Sequence, residues 1–73
     1  MPTASEVKAR IEASIPGATA DVQSPDNVHF NARVVADAFA GLSRIEQHRR
    51  VYAVFGADIG GPIHALSLVT KAE

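Results

Sequence analysis

Three histidines, His29, His48 and His64, are the side chains in this sequence best suited to chemistry. Imidazole titrates near neutral pH and binds metal ions, so each one is a candidate for proton transfer or metal ligation. No H-x-H or H-x-x-x-H spacing places two of them on one element. Zinc normally takes three or four protein ligands. The sequence therefore does not predict a self-sufficient metal site, whereas a site shared with a cysteine-bearing partner stays open.

Each histidine also has an ordinary structural interpretation. His48 lies on the apolar face of a predicted helix, which favours a packed imidazole that donates to a backbone carbonyl. His29 lies on the polar side of a predicted strand, where plain exposure and a functional role are both open. His64 follows a Gly-Gly-Pro break and is expected to share a face with Leu66 and Leu68. That placement would bury the body of the ring and leave one nitrogen at the rim.

Composition narrows the possible functions. The 73 residues predict a single domain, 1–73, and 47% of them are hydrophobic, as expected for a folded protein. The chain has no cysteine, which excludes a disulfide, a thiol nucleophile and an iron–sulfur site of its own. We find no P-loop, G-x-S-x-G, G-x-G-x-x-G or H-E-x-x-H motif, so we expect no enzyme. No secretory signal or membrane-spanning run is recognisable, which predicts a cytoplasmic location away from the membrane.

Four arginines define an alternative function. Arg44, Arg49 and Arg50 lie on or beside one predicted helix, and Arg33 on a strand could lie near them. Together they could contact DNA phosphates. The net charge of −1 and the neighbouring Glu46 weaken that interpretation, because nucleic-acid-binding domains are usually basic.

Local patterns predict an α+β fold. Capping boxes at Thr3–Glu6 and Ser43–Glu46 begin two helices. Alternating apolar residues on either side of the Ser-Pro-Asp-Asn turn predict a hairpin. The predicted order is αββααβ: a helix ending before Pro16, strands over 18–23 and 28–34, one helical turn before Gly41, a helix from 44 to 59 and a strand over 63–69. One three-stranded mixed sheet with the helices on a single face would bury all of these apolar faces.

Three segments together resemble the BolA family: "HFNARVVADAFAG" from His29, "SRIEQHRRVY" from Ser43 and "IHALSL" from Ile63. The Ser-Arg after "FAGL" is most similar to the short bacterial IbaG-type branch. The resemblance implies a compact fold similar to class II KH domains. The G-x-x-G loop with which KH domains clamp RNA is absent here.

The resemblance also implies a partner and a cofactor. Family members bind monothiol glutaredoxins and share a [2Fe–2S] cluster with the glutaredoxin cysteine and a bound glutathione. On the BolA side the ligands are a last-strand histidine, which His64 matches, and a His or Cys in the hairpin loop. Here that loop position holds Asp26 or Asn27, and His29 is the nearest imidazole, so the ligands would be His64 with His29 or His64 alone.

We therefore predict a non-enzymatic adaptor that is a monomer alone and a heterodimer with its glutaredoxin. It would act in iron–sulfur cluster trafficking or iron regulation, and the isolated domain would bind no cluster. The alternative is a DNA-binding transcriptional regulator in the stress response, since some family members are described in that way. A third possibility is a small domain whose three histidines only pack.

Overall fold

Two capping boxes begin the two α-helices of the computed structural model, which describes residues 3–72. The side chain of Thr3 accepts from the Glu6 N–H, and the Glu6 carboxylate accepts from the Thr3 N–H. Helix α1 runs from there over Ala4–Ser14. Ser43 and Glu46 repeat the same reciprocal bonds before α2, Arg44–Phe55. Both predicted helix starts are confirmed, because each box satisfies backbone donors that have no partner within the helix.

Helix α2 ends earlier than the sequence predicts. The apolar spacing suggested a helix reaching residue 59, but the last α-helical residue is Phe55. Gly56 follows with φ of 54°, a conformation that glycine adopts readily and that ends an α-helix. The chain continues as a 3₁₀ turn over Gly56–Asp58. Ile59 therefore lies beyond the helix and is not part of its apolar face.

The sheet has three strands: β1 over Thr19–Gln23, β2 over His29–Val35 and β3 over Ala65–Lys71. β2 is central, antiparallel to β1 and parallel to β3. A parallel pair needs a long connection, which the 3₁₀ turn Asp37–Phe39 and α2 provide. The predicted mixed sheet and αββααβ order are confirmed, with the first helical segment after β2 reduced to this 3₁₀ turn.

The last strand begins two residues later than predicted. Ile63 is fully buried and forms an isolated bridge with Ile59, outside the strand. The regular alternation of β3 starts only at Ala65 and continues to Lys71, where the Ala36 N–H donates to the Lys71 carbonyl. Because β3 begins at Ala65, His64 lies before the strand and does not follow its alternation of buried and exposed residues.

Both helices pack on one face of the sheet, as predicted. Residues of β2 alternate between buried and exposed, so one face of the sheet is apolar and the other is open. The core contains side chains from α1, α2, the sheet and the segments after β2: Val7, Ile11, Ile15, Ala20, Phe30, Ala32, Val34, Ala36, Phe39, Val51, Phe55, Ile63 and Leu66. Ile45 shares the spacing by three or four of His48, Tyr52 and Phe55, which predicts a place on the apolar face of α2, but it is 63% exposed.

The outer edge of β1 is covered by α1 at one point. The Ala20 N–H donates to Glu12, and the Ala20 carbonyl accepts from Lys8, which is itself paired with Glu12. Side chains of the helix thereby replace a neighbouring strand there and limit further strand pairing. No helix among residues 3–72 is long and apolar enough to cross a membrane.

Candidate metal-binding site

The parallel pairing of β2 and β3 brings two of the three histidines together. His29 begins β2 and is the register partner of Ala65, the first residue of β3. The N–H groups of His64 and Ala65 both donate to the Val28 carbonyl, at 3.0 and 3.3 Å. The two imidazole rings are 5.2 Å apart between centroids and meet edge to face at 77°. Residues 35 positions apart in sequence thus form one pair at the edge of the hairpin loop.

Both rings of this histidine pair are exposed. For His29 this agrees with the strand pattern, since Phe30 is the residue that points into the core. For His64 it does not, because the sequence placed its ring on the buried face with Leu66 and Leu68. His64 precedes β3, and the buried neighbour there is Ile63, so the ring lies on the solvent side instead. His64 is therefore an exposed residue beside β3, in edge-to-face contact with His29.

The loop before His29 is held by its own side chains. Ser24 donates its hydroxyl to the His29 carbonyl at 2.7 Å and accepts from the Asn27 N–H at 2.9 Å. Asn27 has a φ of 59°, a left-handed conformation that asparagine tolerates better than most residues. The Asp26 Oδ1 atom accepts from the N–H groups of Val28 and His29 at 3.0 and 2.9 Å. The predicted turn is therefore a hydrogen-bonded loop that ends at a candidate ligand.

Asp26 also binds the ring of that candidate ligand. Its Oδ2 atom lies 2.8 Å from Nδ1 of His29. An ionised carboxylate can only accept a hydrogen bond, so Nδ1 is the donor of this contact. The sequence predicted a turn at Asp26 but missed this bond. The available signal was that Asp26 lies in a predicted turn, three residues before His29. That signal does not specify where the carboxylate points.

The same contacts lower the pKa of Asp26. Hydrogen bonds from the His29 backbone, the His29 ring and the Val28 backbone favour the charged form and hold the pKa of this carboxyl well below its ordinary value. We expect Asp26 to stay ionised near pH 3, where an ordinary aspartate, of pKa about 3.9, is mostly protonated. A pH titration of its side-chain carbonyl carbon by NMR would measure this.

The lowered pKa of Asp26 makes the free energy of unfolding depend on pH in a defined direction. Because the folded-state pKa is lowered, the contribution of Asp26 to stability is complete above the unfolded value and is lost as pH falls through the folded one. Titration of Asp26 at the ordinary aspartate value would show that the loop bonds do not persist in solution.

The histidine pair offers part of a metal site. Imidazole nitrogens bind metals at about 2.0–2.1 Å, so two rings whose centres are ~5 Å apart can approach one ion. No group of three or more His, Cys, Asp and Glu residues within 3–72 is arranged to hold a metal ion. His29 and His64 supply at most two ligands, whereas each iron of a [2Fe–2S] cluster takes two ligands from outside the cluster. The two imidazoles therefore fit one iron of a [2Fe–2S] cluster if a partner protein holds the other iron.

His48 lies away from this pair. It is half-buried on α2 and lines a groove with Arg44 and Leu68, between the helix and β3. The side-chain hydrogen bonds around α2 in the described chain come from Ser43, Glu46, Gln47 and Tyr52, and none from His48. The predicted packed imidazole with a carbonyl partner is therefore wrong in this detail. The buried residues of α2 are Val51 and Phe55, which follow His48 by three and seven positions and so lie on the same side of the helix.

The four arginines predicted to bind DNA lie in two different layers of the fold, the sheet and the helices. Arg33 projects from the open face of the sheet, in register with Asp21 of β1. Arg44, Arg49 and Arg50 are exposed on α2, which packs against the opposite face. DNA binding by these residues stays a prediction from the sequence.

A concave surface of about 390 Å³ also lies on the open face of the sheet, and neither histidine of the pair lines it. Its lining residues belong to all three strands: Asp21, Gln23, Asn31, Ala32, Arg33, Ser67, Leu68 and Val69. Asp21 and Arg33 are its ionisable groups, and neither contacts His29 or His64.

Comparison with known proteins decides the family. The family model described as BolA-like protein matches residues 5–73, which is nearly the whole chain. This chain belongs to the BolA-like protein family. Among curated relatives, BolA-like protein 1 of Homo sapiens is 42% identical over 43 residues, covering 59% of this chain and 31% of the human protein. Protein BOLA1, chloroplastic, of Arabidopsis thaliana is 35% identical over 49 residues, covering 67% of this chain and 31% of that protein.

Solved structures agree with the BolA assignment. A bolA protein homologue from Coxiella burnetii superposes with a TM-score of 0.85 at 33% identity, covering 97% of this chain and 91% of that one. The BolA domain of SufE1 from Arabidopsis thaliana has a TM-score of 0.81 at 28% identity, covering 93% and 88%. The predicted family and fold are confirmed. The matches do not single out the bacterial IbaG-type branch, and this chain spans about a third of the curated BolA relatives described above.

Proposed function

We propose that this BolA-like chain is a non-enzymatic adaptor that binds a monothiol glutaredoxin and shares a [2Fe–2S] cluster with it. His64 is the principal ligand from this chain, and His29 is the second. The glutaredoxin cysteine and a glutathione thiol complete the set, and the complex is a heterodimer that serves cluster trafficking or iron regulation. The observation that supports this is the pair of exposed imidazole rings, 5.2 Å apart, at the start of β2 and just before β3.

The chemistry of the donors supports the same proposal. Two histidines on one iron and two thiolates on the other are an accepted ligand arrangement for [2Fe–2S] centres. Bound there, the cluster would supply one-electron redox chemistry at a potential raised by imidazole ligation. The chain has no cysteine, so the thiolates have to come from the partner. The backbone bonds to Val28 hold the two imidazoles beside each other before any cluster arrives.

A titration with a cluster-loaded glutaredoxin tests the proposal. Adding this chain to a monothiol glutaredoxin that carries a glutathione-ligated [2Fe–2S] cluster should change the visible circular dichroism spectrum, because two cluster ligands change from thiolate to imidazole. An all-thiolate cluster takes two glutaredoxin cysteines and two glutathione thiols, so the change should saturate at one copy of this chain per cluster, with release of one glutaredoxin and one glutathione. The product should show a heterodimer mass in size-exclusion chromatography with light scattering. A spectrum that stays unchanged at saturating protein would contradict the proposal.

A further inference from the structure

Asp26 stands at the loop position where the family resemblance expects a cluster ligand, but the structure gives it different contacts. Both of its carboxylate oxygens are occupied. Oδ1 accepts from the backbone N–H groups of Val28 and His29, and Oδ2 accepts from the ring of His29 at 2.8 Å. The carboxylate is thus fixed by the loop backbone and directed at one nitrogen of the imidazole.

We infer that Asp26 is a positioning residue, which holds His29 with its proton on Nδ1 and so presents the Nε2 lone pair as the ligand atom. The inference rests on the proposed function and deepens it. A histidine that binds a metal through one nitrogen usually donates its other N–H to a carboxylate or carbonyl, and that second contact fixes both tautomer and ring orientation. Asp26 and His29 have this geometry.

The wider loop supports a positioning role. The Ser24 hydroxyl binds the His29 carbonyl at 2.7 Å, so the backbone and the ring of His29 are each held by a loop side chain. The ring is nevertheless 57% exposed, which leaves it accessible to a partner. The side-chain hydrogen bonds of the described chain reach its Nδ1 atom and not Nε2. The nitrogen facing away from Asp26 is the one left to bind.

Asp26→Asn separates positioning from folding. Asparagine keeps an Oδ1 atom to accept from the Val28 and His29 backbones, but it places an amide donor where Oδ2 accepted the ring proton. Two donors then face each other, and the neutral ring relieves this by moving its proton to Nε2. Rotating the asparagine amide by 180° would restore the hydrogen bond from the His29 ring, but it would remove the two hydrogen bonds from the Val28 and His29 backbones. The variant therefore keeps the turn and inverts the tautomer.

Two measurements read out this inversion. Long-range ¹H–¹⁵N correlation of ¹⁵N-histidine-labelled protein without cluster, in mildly alkaline buffer, reports which ring nitrogen of His29 carries the proton. We expect Nδ1 in the wild type and Nε2 in Asp26→Asn. The visible circular dichroism titration with cluster-loaded glutaredoxin should show an apparent affinity roughly 10–100-fold lower for Asp26→Asn, the usual effect of losing such a second contact.

Asp21→Asn is the matched control, since it removes the same charge from an exposed aspartate on the neighbouring strand. It should match the wild type in both measurements. Loss of binding with His64→Ala but not with Asp26→Asn would overturn the positioning role and leave the proposed function intact. A wild-type chain that leaves the cluster spectrum unchanged would instead contradict the proposed function. A His29 ring with its proton on Nε2 in the wild type would overturn the inference directly.

Discussion

Replacing His64 by alanine is expected to weaken binding of the cluster-loaded glutaredoxin on the order of 100-fold or more, because a direct ligand is removed and not only its support. The fold should survive, since His64 is exposed and its bond to Val28 comes from the backbone N–H, which alanine keeps. The affinity is measured by visible circular dichroism titration, and the fold by the urea midpoint of the cluster-free variant.

His48→Ala is the matched control for this substitution. It removes an imidazole from α2, where the ring contacts neither His29 nor His64, so binding should be close to that of the wild type. His64→Cys should recover much of the lost affinity, because a thiolate also ligates iron in such clusters. Equal effects of the His64 and His48 substitutions would contradict a ligand role for His64.

Replacing Phe39 by alanine is expected to lower the free energy of unfolding by about 3–5 kcal/mol, the usual cost of emptying a buried aromatic site. Phe39 is fully buried and lies on the 3₁₀ turn that leads from β2 towards α2. A core of this size supplies only about 3–5 kcal/mol of net stability, so the variant should be largely unfolded at 25 °C. Far-UV circular dichroism and urea unfolding would measure the effect.

Ile45→Ala provides the comparison for Phe39. Ile45 is 63% exposed, and substitutions at such positions usually change stability by no more than about 0.5 kcal/mol. The sequence pattern placed Ile45 on the apolar face of the second helix, so this pair of variants also tests the structural correction. A Phe39→Ala protein with a urea midpoint close to that of Ile45→Ala would show that the core is not organised as described.

Most of the fold could be predicted because its signals are local. Capping boxes at Thr3 and Ser43, and the turn between β1 and β2, are formed by residues within a few positions of one another. The errors arose where the local backbone departs from the apolar periodicity. Gly56 ends α2 although apolar residues continue the helical spacing, and the Ile59–Ile63 bridge delays the start of β3.

The candidate site could be predicted only in part. Residue types and the family resemblance identified His29 and His64, but nothing in their spacing showed that they are neighbours. That proximity depends on the parallel pairing of β2 and β3, a contact between segments 35 residues apart. The contact between Asp26 and His29 depends on how the loop closes, which the turn residues do not specify. The apolar pattern also placed His64 on the buried side of the chain. This was wrong because the alternation of buried and exposed residues begins only at Ala65.

The proposed ligation can be measured directly by pulsed EPR of the reduced complex, formed from unlabelled glutaredoxin and this chain labelled with ¹⁵N-histidine. We expect hyperfine couplings from two strongly interacting ¹⁵N nuclei in the wild type, one of which disappears in His64→Ala and the other in His29→Ala. A reduced cluster that shows no coupling to the labelled chain would contradict the claim that these imidazoles ligate it.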